Sequence, residues 1–259
     1  MPDQSVEPLL EVSEVSVRFG GVVALDGLSF AIDRGQICGL IGPNGAGKTT
    51  MFNVVSRIYE PFTGSLRFDS RDLLAVPAHE IAHLGIARTF QNLALFPTMS
   101  LLENVMVGAH SQGQVGFIRA ITRIGAGAEN RRIRDWSREL LERLGLGPFA
   151  HHPATGLPFG TLKRLEIARA LAARPKFLLL DEPAAGLTHS EVDELGDTIL
   201  ELRDSFALTV LLVEHHMSMV MRISDRVVAM EFGRKIAEGT PDQVRNDPEV
   251  IRAYLGGDE

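Results

Sequence analysis

Two hydrophobic patterns occur along this chain: short apolar runs, and apolar residues spaced three and four positions apart. Together they predict an α/β fold. Short apolar runs that stop at glycine, proline or a charged residue predict strands buried on both faces of a sheet. Such runs occupy residues 37–41, 66–69, 86–90, 177–180, 208–213 and 226–230. Because helical segments separate many of them, we expect largely parallel strands, and the six runs suggest one large sheet.

Apolar residues spaced three and four positions apart predict the helices. One helix is expected to begin near Lys48, and another to span residues 162–173. Between residues 96 and 158 the strand pattern gives way to helical spacing, which relates Ile133, Trp136, Leu140, Leu141 and Leu144. Thr240 and Asp247, each followed by proline, predict the starts of two short helices near the C-terminus.

These patterns divide the chain into three parts. Residues 9–95 and 159–240 predict an α/β core, residues 96–158 an inserted helical lobe, and residues 241–259 a helical tail. The sequence has no Gly/Ser-rich or Pro-rich linker between them, so we expect the parts to pack as one unit.

Composition narrows the class of protein. With 45% hydrophobic and 23% charged residues the chain is typical of globular proteins, which excludes a disordered chain. Its net charge of −7 argues against nucleic-acid binding through bulk charge. A single cysteine, Cys38, excludes an internal disulfide, and no apolar run approaches the ~20 residues that a membrane span needs. We therefore expect a soluble protein without a secretory signal, made and kept in the cytoplasm.

A phosphate-binding loop is the strongest chemical signal. Residues 42–49 read GPNGAGKT, the Walker A spacing, between a predicted strand and a predicted helix. Backbone N–H groups at a helix N-terminus suit phosphate oxygens, Lys48 adds a positive charge, and the Thr49 hydroxyl suits Mg²⁺. The predicted ATP ligands are Gly42, Pro43, Asn44, Gly45, Ala46, Gly47, Lys48, Thr49 and Thr50.

Two acids follow the predicted strand 177–180. Asp181 and Glu182 would point to opposite faces if both continued the strand, which suits them to different roles. We expect Asp181 to complete the Mg²⁺ site and Glu182 to polarise the water that attacks the γ-phosphate. The alternative is that these two acids simply end the strand in solvent. The phosphate loop upstream makes that alternative less favourable.

Two further strand ends carry candidate residues. His215 follows the strand 208–213, at the sheet edge where α/β proteins bind ligands, and is expected to contact the γ-phosphate. Glu214 and His216 are assigned to the surface. Gln91 follows the strand 86–90, and its amide could hold both the attacking water and Mg²⁺; a solvent-exposed glutamine is the alternative.

These motifs, in this order, resemble the ATP-binding subunits of ABC transporters. The resemblance runs from about residue 9 to 256 and rests on residues 42–50, RTFQ at 88–91, LEIARAL at 165–171, LDEPAAGL at 180–187 and VEH at 213–215. Residues 157–164, SDRV at 224–227 and DPEVIRAYLG at 247–256 are most similar to the LivG-type subunit of branched-chain amino acid importers.

The resemblance implies two subunits that close head to tail around two ATP molecules. It makes Gln91 the Q-loop residue, Glu182 the general base and His215 the switch histidine. Phe19 would stack on adenine, although a core phenylalanine is an alternative at that position. Phe159 and Gly160, in the signature segment, would contact the nucleotide held by the partner subunit.

Two positions depart from the family pattern. The signature usually reads LSGGQ, and Pro158 supplies neither the serine hydroxyl nor a backbone N–H, so one donor to the γ-phosphate is missing. Losing such a donor costs about 3 kcal/mol of transition-state stabilisation. Thr188 stands where the D-loop of the family usually has an aspartate, so the resemblance does not extend to the residue that it associates with communication between the two ATP sites.

The resemblance implies a P-loop NTPase (RecA-like) core with a largely parallel sheet, an antiparallel β region and the inserted helical lobe. The implied function is the ATP-hydrolysing motor of an importer for branched-chain or related amino acids, peripheral on the inner face of the plasma membrane. Its partners would be a second ATP-binding subunit, permease subunits that contact a groove at Gln91 and residues 92–97, and indirectly a solute-binding protein, with no nucleic acid. A soluble non-transport ABC ATPase, a motor for another solute such as urea and a small-molecule P-loop kinase are the alternatives.

Overall fold

Two β-sheets form the framework of the protein, in a computed structural model that describes residues 7–89, 93–109 and 126–255. In chain order the strands are β1 Leu10–Phe19, β2 Val22–Ile32, β3 Ile37–Ile41, β4 Thr63–Phe68, β5 Arg71–Asp72, β6 Ile86–Arg88, β7 Phe177–Asp181, β8 Thr209–Val213, β9 Arg226–Glu231 and β10 Arg234–Gly239. The larger sheet has the order β10-β9-β3-β8-β7-β6 and is parallel except for β10. The sheet therefore has the largely parallel character that the sequence predicts.

A separate antiparallel sheet has the order β2-β1-β4-β5. The prediction that residues 66–69 belong to the large sheet is wrong, because β4 pairs with β1 in this smaller one. In β4, Leu66 and Phe68 are buried while Arg67 is exposed, the alternation of a strand that is covered on one face only. Asp69 has a left-handed backbone (φ +51°) and ends the strand.

The helices are α1 Lys48–Val55, α2 Leu101–Gly108, α3 Ala126–Arg143, α4 Phe159–Leu171, α5 His189–Phe206, α6 Met217–Ile223, α7 Pro241–Arg245 and α8 Pro248–Leu255. Short 3₁₀ turns cover Ala78–Leu84 and Gly147–Phe149. The predicted C-terminal helices are confirmed, and Thr240 caps α7 in a reciprocal pair with Gln243. No helix in the three described ranges combines the length and apolarity required to cross a bilayer.

Helix α4 begins three residues before the predicted position. Pro158 is its N-cap, with φ −54° and ψ 148°, and the carbonyl of Pro158 accepts a hydrogen bond from the N–H of Leu162. Proline at this position lacks a side-chain acceptor, so no side chain caps the first turn. The backbone rather than a capping side chain sets the start of the helix.

The large sheet separates two hydrophobic clusters. Ile37 and Ile41 of β3 belong to the cluster shared with α2, α4 and α5, whereas Cys38 and Leu40 belong to the cluster between the two sheets. Alternate side chains of a strand point to opposite faces, so β3 is buried on both sides. Burial on both faces fixes the position of the C-terminal end of β3, where the phosphate loop begins.

Candidate nucleotide site

The loop between β3 and α1 has the backbone geometry that phosphate binding requires. Gly42, Gly45 and Gly47 have φ values of +153°, +82° and +101°. A Cβ on Gly42 would lie 2.2 Å from the carbonyl oxygen of Met230, so no other residue fits there. Gly47 is the N-cap of α1, and no side chain caps that helix. The N–H groups of its first turn can therefore donate to an anion.

Lys48 lies at the start of α1 and folds over the loop. Its Nζ donates to the carbonyl oxygens of Gly42 at 2.7 Å and Pro43 at 3.0 Å. Burial lowers the pKa of Lys48, while the charges of Glu182 and Asp181 act to raise it. The ammonium group therefore lies within the electrostatic reach of both carboxylates.

The other predicted ligands of the loop occupy its outer surface. Asn44, Gly45 and Thr49 are exposed, Thr50 is half-buried, and the small side chain of Ala46 is buried under the loop. Thr49 therefore presents a hydroxyl to solvent in the first turn of α1.

Asp181 ends β7 and is buried, with a charged partner that sequence analysis did not identify. Its Oδ2 lies 2.8 Å from Nη2 of Arg88, and the Nη1 of the same guanidinium donates to Asn53 in α1 at 2.7 Å. Arg88 ends β6, which pairs with β7 in parallel, so both side chains lie at the same sheet edge. The position of an arginine at a neighbouring strand end is the signal that could have revealed this pair.

Glu182 does not continue β7, so the expectation that Asp181 and Glu182 lie on opposite faces of one strand is wrong. The backbone of Glu182 turns into the left-handed region (φ +48°), and its N–H donates to the carbonyl of Val213 at 2.9 Å. Its own carbonyl accepts from the N–H of Ala185 at 3.2 Å. The acid therefore lies at the first position of a tight turn.

His215 follows β8 and approaches this turn. Its Nδ1 lies 3.6 Å from Oε1 of Glu182, and 57% of its side chain is exposed. β7 and β8 are parallel neighbours, with Asp181 opposite Val213, which brings the residues that follow them together. The structure thus places His215, Glu182, Asp181 and Lys48 around one edge of the sheet.

The assignment of Glu214 to the surface is wrong. Only 1% of this residue is exposed, and its carboxylate accepts three backbone N–H groups, from Ala184, His215 and His216. A charged residue can be buried when several donors compensate its lost hydration, and nothing in the local sequence reveals those donors. His216 is half-buried.

Phe19, at the end of β1, is 46% exposed, so the alternative of a core phenylalanine is excluded. Its ring meets that of Tyr59 edge to face, with centroids 4.9 Å apart. The exposed face of this aromatic pair is compatible with the predicted stacking on adenine.

The signature residues pack against another part of the chain. A Cβ on Gly186 would lie 3.1 Å from the ring of Phe159, and one on Gly160 would lie 3.0 Å from Glu191. Thr188 caps α5 in a reciprocal pair with Glu191. Gly160 and one side of the Phe159 ring thus face the segment that precedes α5 and its first turn, while Lys163 of α4 also lies over the Phe159 ring. Gln91 and residue 92 of the predicted permease groove lie outside the described residues.

This donor set fits a magnesium-bound triphosphate. Carboxylate and hydroxyl oxygens, supplied by Asp181 and Thr49, are the ligands that Mg²⁺ prefers. The helix N-terminus and Lys48 match the charge of the phosphates, and the left-handed glycines keep the loop backbone within reach of them. The arrangement is suited to bind a nucleotide and to hydrolyse it with Glu182 and His215 nearby.

Comparison with known proteins agrees with this geometry. The model of the ABC transporter family matches residues 25–185, and that of the branched-chain amino acid ATP-binding cassette transporter matches residues 234–259. The high-affinity branched-chain amino acid transport ATP-binding protein BraF of Pseudomonas aeruginosa is 43% identical over 250 residues, covering 96% of this chain and 98% of that protein. The corresponding protein LivG of Escherichia coli is 42% identical over 252 residues, covering 96% and 98%.

Solved structures give the same result. The ADP conformation of an ATP-binding cassette of an ABC transporter has a TM-score of 0.84 and 31% identity, over 96% of this chain and 99% of that one. A nucleotide-free cassette has a TM-score of 0.83 and 30% identity, over 95% and 98%. The family predicted from the motifs is therefore confirmed, and this chain belongs to the ABC transporter family as one of its ATP-binding cassettes, an ATPase.

Proposed function

We propose that this cassette is the motor subunit of an importer for branched-chain or related amino acids. The names of the relatives at 42–43% identity and the C-terminal match over residues 234–259 support this substrate class over urea. One observation carries the motor role: Lys48, Asp181, Glu182 and His215 converge beside the phosphate loop. The matches cover nearly the whole of this chain and of the two transport subunits, which favours this function over a non-transport ABC ATPase.

The phosphate loop would bind ATP through backbone N–H groups and Lys48. Lys48 gives two of its three N–H bonds to the carbonyls of Gly42 and Pro43, which leaves one for a phosphate oxygen. The exposed ring of Phe19 would stack on adenine. Thr49, Asp181 and Gln91 would hold Mg²⁺, which when bound neutralises charge on the phosphate oxygens.

Glu182 would accept the proton of the attacking water, and His215 would contact the γ-phosphate. The separation of 3.6 Å between their side chains supports a role for both at one reaction centre. Gln91 would orient the same water. This division of roles predicts that removing the charge of Glu182 stops hydrolysis but preserves ATP binding, which depends on other residues.

A second cassette would complete each ATP site. Phe159 and Gly160 lie at the uncapped start of α4, where the positive end of the helix suits the γ-phosphate of a partner subunit. Outside α4 they lie close to Gly186, Leu187 and Glu191, which precede or begin α5, and this position supports a role across a dimer interface. Pro158 leaves the site without the usual serine hydroxyl.

Permease subunits would bind near Gln91 and residues 92–97, and a solute-binding protein would act through them. The cassette would then be peripheral on the inner face of the plasma membrane. Closure of the dimer on ATP and its reopening after hydrolysis would drive the permeases. The observation that tests this link is ATP-driven uptake of a solute by the assembled complex.

The variant Glu182→Gln tests the chemical part of the proposal. We expect it to suppress turnover and to accumulate an ATP-bound dimer with Mg-ATP, measured by light scattering together with phosphate release. The exposed residue Glu201 on α5 offers a matched control, since Glu201→Gln makes the same chemical change away from the site. A monomer that hydrolyses ATP at the original rate would refute the role of Glu182.

The transport part requires the complex purified from membranes with its permeases and reconstituted in vesicles. We expect ATP to drive uptake of leucine, isoleucine or valine. Uptake of urea alone would replace the substrate class while leaving the motor role intact. A cassette that copurifies with no membrane protein would overturn the transport function.

A further inference from the structure

One buried carboxylate connects the turn that carries Glu182 with the turn that carries His215. Glu214 follows β8 directly, and its two oxygens have different partners. Oε1 accepts the N–H of Ala184 at 2.6 Å, whereas Oε2 accepts the N–H groups of His215 at 3.0 Å and His216 at 3.3 Å. The side chain therefore joins two segments that lie 30 positions apart in sequence.

On one side, the bond from Ala184 fixes the turn that follows β7. This turn begins at Glu182, closes through the bond from the N–H of Ala185 to the carbonyl of Glu182, and includes the fully buried Ala184. Glu182 has φ +48°, a conformation that a residue other than glycine adopts only when its surroundings hold it there. The carboxylate of Glu214 is one of the groups that hold it.

On the other side, the bonds to Oε2 fix the turn before α6. His216 is the N-cap of α6, and the N–H groups of His215 and His216, which lead into that helix, both donate to Oε2 of Glu214. The position of the His215 ring, 3.6 Å from the carboxylate of Glu182, thus depends on the same residue that holds the Glu182 turn.

We propose that Glu214 is a positioning residue that sets the distance between Glu182 and His215. The proposal rests on the proposed roles of those two residues in hydrolysis. Within the described residues, the carboxylate of Glu214 accepts its hydrogen bonds from the backbone of the two turns, so it acts on the chemical step through those turns and not on nucleotide binding.

The chemistry of the site explains why a carboxylate is needed. Three N–H donors converge on two oxygens, and an ionised carboxylate offers acceptors only. A glutamine at this position would keep one oxygen and direct an NH₂ group at one set of donors, which leaves N–H groups without an acceptor. An aspartate would keep both oxygens but is shorter by one methylene, so it cannot span both turns without moving one of them.

The main test compares Glu214→Gln with the wild-type chain and with the control Glu201→Gln. We expect kcat for Mg-ATP to fall by about 10- to 100-fold, the loss that a displacement of reacting groups by about 1 Å produces. The affinity for a fluorescent ATP analogue should not change, because the phosphate loop is intact. If the glutamine variant does not fold, as judged by circular dichroism, Glu214→Asp provides the same comparison with a smaller expected fall.

A double variant separates positioning from a purely structural role. In single turnover, adding Glu214→Gln to Glu182→Gln should give no further loss, because the group being positioned is already inactive. A kcat that is unchanged in the folded variant, a loss of ATP affinity that matches the loss of kcat, or a full additional loss in the double variant would each overturn the proposal. If Glu182→Gln alone leaves hydrolysis undiminished, the proposed role of Glu182 fails first, which distinguishes the two failures.

Discussion

Substituting alanine for Gly47 should destabilise the protein far more than the same change at Gly45, although both glycines belong to one motif. Both have left-handed backbones, with φ +101° and +82°, and alanine in that region costs about 1–2 kcal/mol. A Cβ on Gly47 would also lie 2.6 Å from the carbonyl oxygen of Ala24 and 2.9 Å from Leu25, while a Cβ on Gly45 meets nothing within 4 Å.

At Gly47 alone, the steric clash adds to the free-energy cost of placing alanine in a left-handed backbone. Backbone of β2 must move to admit the methyl group, and overpacking of this kind costs about 1–3 kcal/mol. We therefore expect Gly47→Ala to lower the free energy of unfolding by about 2–5 kcal/mol and Gly45→Ala by about 1–2 kcal/mol. Gly21, between β1 and β2, has open space around its Cβ and no left-handed backbone, so Gly21→Ala serves as the control.

Urea unfolding of the nucleotide-free chain measures these differences, provided that the m-value is the same for each variant. Losses of stability that are equal at Gly47 and Gly45 would refute the assignment of the clash. Calorimetry with ATP supplies a second measurement. Gly47→Ala should weaken binding, because Gly47 is the N-cap of α1 and a clash between this position and β2 displaces the backbone around the phosphate loop.

The remaining predictions concern three other sites. Pro158→Ser restores a hydroxyl at the signature segment and should speed ATP hydrolysis by up to about 100-fold; a phosphate-release assay that shows no increase contradicts the missing-donor argument. Hydrogen bonds from Lys176 and Arg34 lower the pKa of Asp69 to about 2 from 3.8, so its stabilising effect is present above pH 4 and is lost as the pH falls from about 4 to about 2. Asp69→Asn should remove that part of the acid dependence of the free energy of unfolding, at most about 1 kcal/mol because the ion pairs of Asp69 are partly exposed, and thermal unfolding between pH 2 and 5 measures it. Burial raises the pKa of Cys38 to about 12, so a maleimide at pH 8 should label it only after unfolding, and rapid labelling of the folded chain would show that the thiol is accessible.

The arrangement of strands shows where local pattern stops being informative. A continuous apolar run identified β3, β7, β8 and β9 correctly, since burial on both faces leaves the same signature wherever a strand lies in the sheet. Residues 66–69, where apolar and charged residues alternate, lie in the other sheet. Pairing partners, here β4 with β1, are chosen by residues about 50 positions away, which no local window includes.

For the nucleotide site, too, the sequence predicted some features and only the fold revealed others. Residue type and spacing identified the phosphate loop, Asp181, Glu182 and His215 as candidates, because a motif that binds phosphate is contiguous in sequence. They did not reveal the Arg88 partner of Asp181 or the burial of Glu214. Those features depend on donors that folding brings from other strands.

The sequence by itself determined the fold class and the family and supplied the candidate residues for nucleotide binding, since these follow from local hydrophobic spacing and contiguous motifs. Only the tertiary structure decided which glycines of the loop are sterically required, how Glu182 is turned out of its strand, and that Glu214 lies inside the protein. The physical reason is that the free energy of a buried charge or a strained backbone depends on neighbours in space. Strand order at the edge of the large sheet, and not distance along the chain, decides which residues become those neighbours.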